Sequence, residues 1–366
     1  MSDPFLPILH RPAMKNFLLR HRLETPVLLC LALALLAVLS LAGSNSLQRT
    51  TTEVLIRVVM VVGMFIFIGH SGLISFGHMA FVGIGAYGVA WTTMEPSIKQ
   101  YVLTGLPDLL LHSSMPWVPA SLLAGLLAAA VALLAGAVIL RLGGIAASIA
   151  TFSLLAIFNV VYSNWDSVTA GSSSIVGIPT PVGVWQAFLF AAGAIALAHW
   201  HGISRFGLAL RAVREEPVAA RSCGINAWRQ LLVAFVLSAL VCGLGGALDA
   251  QFLGVVNPDA YYLGRTFTCL TMLVIGGSAS LSGAVTGVLV LSALMELLIR
   301  LETGVSLGGM AIQLPSGSQE VVTGLVMVLT LIRRPAGLMQ GREWQWPRLT
   351  HPSAPLPAAS LEMQPR

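Results

Sequence analysis

Apolar runs of membrane-spanning length recur along the whole chain, and they constrain its fold more than any other feature. A helix needs roughly 20 mostly apolar residues to cross the hydrocarbon core of a bilayer. Only 10 % of the 366 residues are charged, whereas a soluble globular domain carries roughly 25 %. Backbone polar groups must be satisfied inside lipid, and the strict alternation of a barrel is absent. We therefore predict an all-α, polytopic integral membrane protein.

The apolar runs predict ten transmembrane helices, with a short eighth helix joined to the ninth by a Gly/Ser-rich bend. The first run, Pro26 to Ala42, could also be a signal peptide, but its length and the spans that follow favour an uncleaved helix. The approximate bounds are 26–43, 53–69, 78–94, 117–140, 145–163, 184–200, 230–254, 266–279, 281–299 and 319–332.

The basic residues predict that both termini face the cytoplasm. With ten spans and an inner N-terminus, 15 of the 20 Lys and Arg residues fall on the inner side, as the positive-inside rule requires. The chain then divides into a cytoplasmic N-terminal segment (1–25), a transmembrane domain (26–334) with a cytoplasmic loop (201–229), and a partly disordered cytoplasmic tail (335–366). No basic patch interleaved with aromatics is visible, so nucleic acid is not an expected partner.

Motifs for nucleotide hydrolysis and for common hydrolytic chemistry are absent from the sequence. The only lysines are Lys15 and Lys99, and neither follows glycine, so there is no GxxxxGK(S/T) phosphate loop. HExxH and GxSxG are missing as well. His70 and His78 could share a helical face, but no acidic residue lies near them, and no cysteine pair has metal-ligand spacing. We expect no catalytic site, metal site or cofactor in this chain.

Glycines and serines interrupt the apolar pattern between the second and third predicted helices. The segment 69–88 reads GHSGLISFGHMAFVGIGAYG. Such residues let helices approach closely, and they make a helix break tolerable where backbone lines a cavity. Tight packing around a turn and a place beside a translocation path are both open, and they are compatible.

Six polar residues in or near the spans are candidates for lining a translocation path. A charge inside a span is costly, so it tends to mark a functional position. The two carboxylates among the candidates could instead lie near helix ends or pair with Arg265 and Arg300. The candidates are His70, Ser71, Ser75, Asn159, Asp249 and Glu296.

The loop 201–229 is the longest polar stretch between spans and carries five arginines. Leu208 to Arg214 can form a short amphipathic helix, and Pro217 suits the first turn of a second helix that Gly224 would end. A short surface helix of this kind suits a partner's groove. The composition alone slightly favours a simpler role, in which the loop is solvated and anchors the topology.

Taken together, these motifs resemble the branched-chain amino acid ABC transporter permeases of the LivH/LivM family, and the LivM side in particular. The similarity runs from about residue 54 to 338. It is carried by the segment at 69–87, IATFSL (149–154), SRFGLALRAVREEPVAARSCGIN (204–226), AFVLSALVCGLGGA (234–247), IGGSASLSGAVTG (275–287) and PAGL (335–338).

The resemblance implies a permease subunit of an ABC importer in the bacterial inner membrane. It makes the loop 201–229 the segment that docks on the ATPase, which outweighs the simpler reading. Its coupling residues would be Arg214, Glu216, Ala219, Ala220 and Gly224. The implied partners are a homologous permease, two ATP-binding cassette ATPases that bind the ATP, a periplasmic solute-binding protein and membrane lipid. The alternative is a stand-alone secondary transporter of a small polar solute.

Three departures from the family pattern leave the substrate open. Residues 142–147 lack the aromatics of the usual Arg-Gly-x-Tyr-Phe-Ala run, and Thr169-Ala170-Gly171 replaces Thr-Gly-Gly. Asp249 stands where a small or apolar residue is expected. Branched-chain amino acids, other amino acids, urea and amides all remain open, as does the choice between a hetero- and a homodimeric pore.

Overall fold

The computed structural model describes residues 11–303, 305–307, 310–312, 315, 317–334 and 336–345, with side chains from residue 24 onward except in the segment 305–312. Its helices are α1 (Arg11–Leu41), α2 (Asn45–Ser71), α3 (His78–Thr93), α4 (Pro96–Val102), α5 (Asp108–Leu111), α6 (Trp117–Ile139), α7 (Gly144–Asn164), α8 (Asp166–Thr169), α9 (Val184–Ile203), α10 (Arg205–Glu215), α11 (Pro217–Ser222), α12 (Ala227–Leu253), α13 (Leu263–Gly276), α14 (Leu281–Thr303) and α15 (Ser318–Arg333).

Short strands and one 3-10 helix complete the described part of the chain, and the sequence did not predict them. Strand β1 (Ile175–Val176) pairs antiparallel with β2 (Val255–Val256). Strand β3 (Val305–Leu307) pairs antiparallel with β4 (Met310–Ile312). The 3-10 helix, Pro258–Tyr261, lies between β2 and α13.

A helix overlaps each of the ten predicted segments, which confirms the all-α class. Six helical stretches are long and apolar enough to cross a membrane, and α9 with α10, bent by 65°, passes the same criterion as a pair. The six are 24–41, α2, α6, α7, α12 and α14. Helices α3, α13 and α15 have only 16, 14 and 16 residues. The count of ten spans therefore stays a prediction.

Several helix ends differ from the prediction, including the start of α2 at Asn45 rather than near 53. Helix α13 ends at Gly276 rather than near 279, because Gly277 takes a positive φ of 114°, a conformation that favours glycine and stops a helix. Helix α1 extends back to Arg11 through Pro26. Residues 1–10, Pro335 of the PAGL motif and the residues after about Pro347, which the sequence predicts to be disordered, lie outside the described residues.

Helices α2 and α12 form the centre of the packing. Helix α12 contacts α2, α3 and α6, and nearly the whole apolar window of α2 is buried inside the chain. Glycines allow this close approach, since a Cβ on Gly85 would lie 2.0 Å from the carbonyl oxygen of Gly243. In lipid, such small-residue contacts replace the hydrophobic drive that packs helices in water.

Contacts between connecting segments group the helix ends into two layers. In one layer α10 contacts the end of α2, and residues after α15 contact the start of α14. In the opposite layer Gly105 donates its N–H to the carbonyl of Ser167 at 2.8 Å, and β1 pairs with β2. With ten spans, successive connecting segments would lie on alternate sides of the membrane, and this grouping agrees with that order. Which layer faces the cytoplasm stays a prediction.

Candidate functional site

Helices α2 and α3 are separated by a break of six residues. Helix α2 ends at Ser71, and Gly72 caps it with a φ of 71°. The Ser71 hydroxyl accepts a hydrogen bond from the backbone of Leu73 at 3.1 Å. The N–H of Phe76 is held by Thr151 Oγ1 of α7 at 3.3 Å. The glycine- and serine-rich segment therefore forms a helix break that packs against α7.

The path candidates His70, Ser71 and Ser75 are all buried at this break. His70 Nδ1 lies 3.0 Å from the carbonyl of Ile66, and its ring contacts that of His201 with centroids 5.2 Å apart. Ser75 Oγ has no hydrogen-bond partner among the described residues. His70 and Ser71 thus stand at the end of α2, beside α9 and the loop that follows it.

The loop 201–229 folds into two short helices, each started by a local side-chain cap. Ser204 begins α10 by accepting the N–H of Gly207 at 3.3 Å. Glu216 begins α11 by accepting the N–H of Val218 at 3.4 Å, directly before Pro217. These caps satisfy amides that a helix start leaves free. The two helices lie where the sequence predicts them, and we call residues 204–226 the coupling segment after the role that the sequence predicts for them.

Four of the five predicted coupling residues are exposed on this segment. Ala219, Glu216 and Gly224 are accessible, whereas Ala220 is buried with only 4 % exposure. Gly224 has a φ of 78°, and a Cβ there would meet nothing within 4 Å. A partner can therefore reach Ala219 and Gly224, while Ala220 holds α11 against the rest of the chain.

Arg214, also exposed, connects the coupling segment to the helix break. Its Nη1 donates a hydrogen bond of 2.8 Å to the backbone carbonyl of Gly69. A Cβ on Gly72 would lie 3.1 Å from the same side chain. The last carbonyls of a helix carry partial negative charge, so a guanidinium at this end is favourable. The contact joins a surface helix directly to the end of a buried span.

Asp249 belongs to a different cluster, near the end of α12 that meets the opposite layer. It is 3 % exposed, pairs with Arg265 of α13, and accepts the hydroxyl of Tyr261 at 2.9 Å. Burial, followed by the Asp249 charge, raises the pKa of Tyr261 well above its ordinary value, so the hydroxyl stays a donor. Pairing with Arg265, one of the alternatives left open by the sequence, is what the structure contains.

The remaining path candidates occupy two further places. Asn159 of α7 donates to Asp259 at 3.0 Å, which ties α7 to the 3-10 helix. Glu296 of α14 accepts from Arg300 at 2.8 Å and from Thr50 at 3.3 Å. It lines a groove of about 380 Å³ between α1, α2 and α14. The six candidates therefore do not converge on a single site.

Sequence reasoning missed Tyr261, Asp259 and Glu343 as partners in the polar contacts. Tyr261 and Asp259 lie in the short 3-10 helix, which has no sequence motif of its own. Glu343 lies in the tail, yet its carboxylate reaches the start of α14 at 2.8 Å. No local pattern could identify these pairs, because the partners come from separate elements. Among the described residues, no group of three or more His, Cys, Asp or Glu side chains could hold a metal ion.

A comparison with protein families identifies the chain. The family described as "Branched-chain amino acid transport system / permease component" matches residues 46–331. This protein belongs to that family. The match includes the break between α2 and α3, the coupling segment and the Asp249 cluster, so all of these features belong to a transport permease.

Among individual relatives, LivM proteins match most of this chain, whereas LivH matches less than half of it. The chain is 27 % identical over 347 residues to the high-affinity branched-chain amino acid transport system permease protein LivM of Escherichia coli (strain K12), covering 84 % of this chain and 74 % of that protein. LivM of Salmonella typhimurium (strain LT2) is 26 % identical over 362 residues, covering 90 % and 77 %. LivH of Escherichia coli (strain K12) is 30 % identical over 145 residues, covering 40 % and 43 %. No solved structure matches.

Proposed function

We propose that this chain is the transmembrane permease subunit of an ABC importer for branched-chain or related amino acids. The family match over residues 46–331 and the LivM relatives support this assignment. The protein is a multi-pass membrane protein, and we place it in the bacterial inner membrane with ten spans and both termini in the cytoplasm. Its partners would be a homologous permease, two ATPase subunits and a periplasmic solute-binding protein.

The contact of Arg214 with Gly69 carries the mechanism that we propose. ATP is bound by the separate ATPase subunits, so this chain must receive the motion through a surface that those subunits can reach. The coupling segment offers the exposed Ala219 and Glu216, and Arg214 holds the end of α2 at 2.8 Å. A displacement of the segment therefore moves the helix break, and the pore alternates between its two access states.

A stand-alone secondary transporter receives no comparable support. Such a carrier would use an ionisable group within the membrane, and Asp249 and Glu296 are the candidates. Asp249 is paired with Arg265 and Glu296 with Arg300. Neither carboxylate is isolated, and both contacts resemble structural ion pairs.

Copurification and uptake test the proposal directly. We expect the tagged chain to bring along an ATPase in stoichiometric amount. With all its partners in sealed vesicles, it should take up branched-chain amino acids only when ATP is supplied. Competition by other amino acids, urea and amides would define the substrate. Uptake by the purified chain alone, driven by an ion gradient, would establish the secondary transporter instead.

A bulky substitution at Ala219 tests the docking surface. We expect Ala219→Trp to insert normally into the membrane but to uncouple the importer, so that ATP is hydrolysed without uptake. The reason is that the added ring enlarges an exposed face of α11. Gly224→Trp should act similarly but with backbone strain, because residue 224 has a positive φ. Ala146→Trp, at an exposed position on α7, is the matched control. Normal coupled uptake by the Ala219 variant would contradict the assignment.

A further inference from the structure

A second helix break lies against the first one. Helix α13 ends at Gly276 and α14 begins at Leu281, with Gly277 in a positive-φ conformation. A Cβ on Gly69 would lie only 2.8 Å from the carbonyl oxygen of Ser278. The end of α2, which Arg214 holds, is thus in backbone contact with the turn between α13 and α14.

Glu343 caps the start of α14 from 62 residues further along the chain. Its Oε1 accepts the N–H of Leu281 at 2.8 Å. Its Oε2 accepts the N–H of Ser282 at 2.9 Å and the hydroxyl of Ser282 at 2.6 Å. A carboxylate at a helix N-terminus satisfies free amides and complements the positive end of the helix dipole. Charge-assisted bonds of this kind are stronger than neutral ones.

The residues around Glu343 also hold the end of α13. The N–H of Leu338 donates to the carbonyl of Ile275 at 2.8 Å, and that of Met339 donates to Gly276 at 3.1 Å. A Cβ on Gly337 would lie 2.4 Å from the Cα of Gly277. One segment, residues 336–345, therefore binds both sides of the second break, and we call it the C-terminal strap.

The strap lies next to the coupling segment and to α1. Thr25 of α1 donates its hydroxyl to the carbonyl of Trp344 at 3.1 Å. Burial lowers the pKa of Arg211 in α10, and the charge of Glu343 opposes that shift. A continuous series of contacts thus leads from Arg214 through Gly69 and Ser278 to the turn that Glu343 holds.

We propose that Glu343 is a positioning residue for coupling: it holds the α13–α14 turn against Gly69, so that movement of the coupling segment displaces both helix breaks together. This role rests on the proposed importer function. Without the carboxylate, the α13–α14 turn would deform locally when Gly69 moves. It would no longer move together with Gly69. The strap is then a part of the transmission and not only a tail on the cytoplasmic surface.

Uptake per ATP hydrolysed is the first test, measured in the complete importer. Glu343→Gln keeps the size of the side chain but places an NH₂ donor against one amide donor. We expect at least a fivefold loss of uptake per ATP at normal insertion, with partial rescue by Glu343→Asp. The matched control is Glu302→Gln. Glu302 caps α15 through Ser318 Oγ at 2.7 Å and the N–H of Gln319 at 3.0 Å, away from the coupling segment.

Two outcomes of the uptake test would overturn the role of Glu343. One is the same uptake per ATP in both Gln variants. The other is a loss of uptake and ATPase activity in parallel with a loss of folded protein, which would indicate a purely structural cap. Failure of the wild-type complex to import amino acids with ATP would instead contradict the proposed function.

Hydrogen exchange of the purified full chain tests the mechanical link without transport. We expect Glu343→Gln to speed amide exchange in peptides covering 278–284 and also in those covering 69–76. Glu302→Gln should affect only the start of α15. Faster exchange confined to 278–284 would show that Glu343 is a local cap, and it would overturn the proposal whatever the transport assays give.

Discussion

Gly246 of α12 lies directly against the backbone of Val82 in α3. A Cβ on Gly246 would lie 1.8 Å from the carbonyl oxygen of Val82. Gly85 and Gly243 make the same kind of contact nearby. These glycines let α3 and α12 approach at backbone distance, and they hold the α3 side of the first helix break against the core.

Replacing Gly246 by alanine should destabilise the fold. The added methyl group meets a backbone oxygen that cannot rotate away, so α3 and α12 must separate, and overpacking of this kind costs about 1–3 kcal/mol. Thermal unfolding in detergent should show a lower midpoint. Gly193→Ala in α9, where a Cβ would meet nothing within 4 Å, should leave the midpoint unchanged or raise it. Equal midpoints for the two variants would contradict the close approach.

Removing the guanidinium of Arg214 should uncouple transport. Arg214→Gln cannot reach the Gly69 carbonyl with the same charged donor, and a hydrogen bond to a charged group contributes about 1.5–3 kcal/mol. We expect ATPase activity to persist in the complete importer while uptake falls roughly tenfold, the factor that corresponds to about 1.4 kcal/mol. Arg49→Gln, at an exposed position near the start of α2 and outside the coupling segment, is the control. Unchanged uptake in the Arg214 variant would remove this contact from the mechanism.

Neutralising Asp249 should cost far more stability than neutralising Glu296. Asp249→Asn leaves Arg265 without its anion, and breaking a buried pair costs up to about 3–5 kcal/mol. The cost should fall below the upper figure because 25 % of the Arg265 side chain is exposed. Glu296→Gln breaks a pair whose arginine is 59 % exposed, a class of pair worth up to about 1 kcal/mol.

Unfolding midpoints of these two variants and of Asp249→Asn/Arg265→Gln check the prediction. The double variant should recover part of the loss, since the unpaired charge is then gone. If Asp249→Asn alone abolished uptake at unchanged stability, Asp249 would act on the solute rather than as a structural ion pair.

Cys223 offers a natural probe of orientation. It is exposed on the coupling segment, whereas Cys242 and Cys269 are buried and Cys30 is partly buried. In the chain expressed without its companions, a membrane-impermeant maleimide should label Cys223 in inside-out vesicles but not in spheroplasts. A Cys223→Ser/Tyr101→Cys chain should give the opposite result, because Tyr101 is 89 % exposed in a predicted outer segment. Labelling of Cys223 in spheroplasts would show that the coupling segment faces outward, and it would contradict the predicted orientation.

Local chemistry made much of the coupling segment predictable. Pro217 marked the start of α11, and Ser204 and Glu216 supply caps within three residues of the amides they hold. The burial of Ala220 was not predictable in the same way. A helix of six residues is too short for its apolar period to indicate which face packs inward.

The partner of Asp249 shows where sequence reasoning stops. The sequence offers Arg265 as one of several alternatives, and it gives no indication of Tyr261. Both lie beyond the end of α12, 16 and 12 residues away. They reach Asp249 only because β2 and the 3-10 helix reverse the chain. The choice among pairing, a helix end and a watery path depends on that reversal.

The sequence by itself determined that this protein lies in a lipid bilayer, where its helices are and to which family it belongs. These properties follow from the residue composition and from the order of residues over short stretches of the chain. Only the tertiary structure decided which polar groups meet. Arg214 and Gly69 are 145 residues apart, and Glu343 and Ser282 are 61 apart. Such contacts depend on how whole helices pack, and no local periodicity or motif in the sequence predicts that packing.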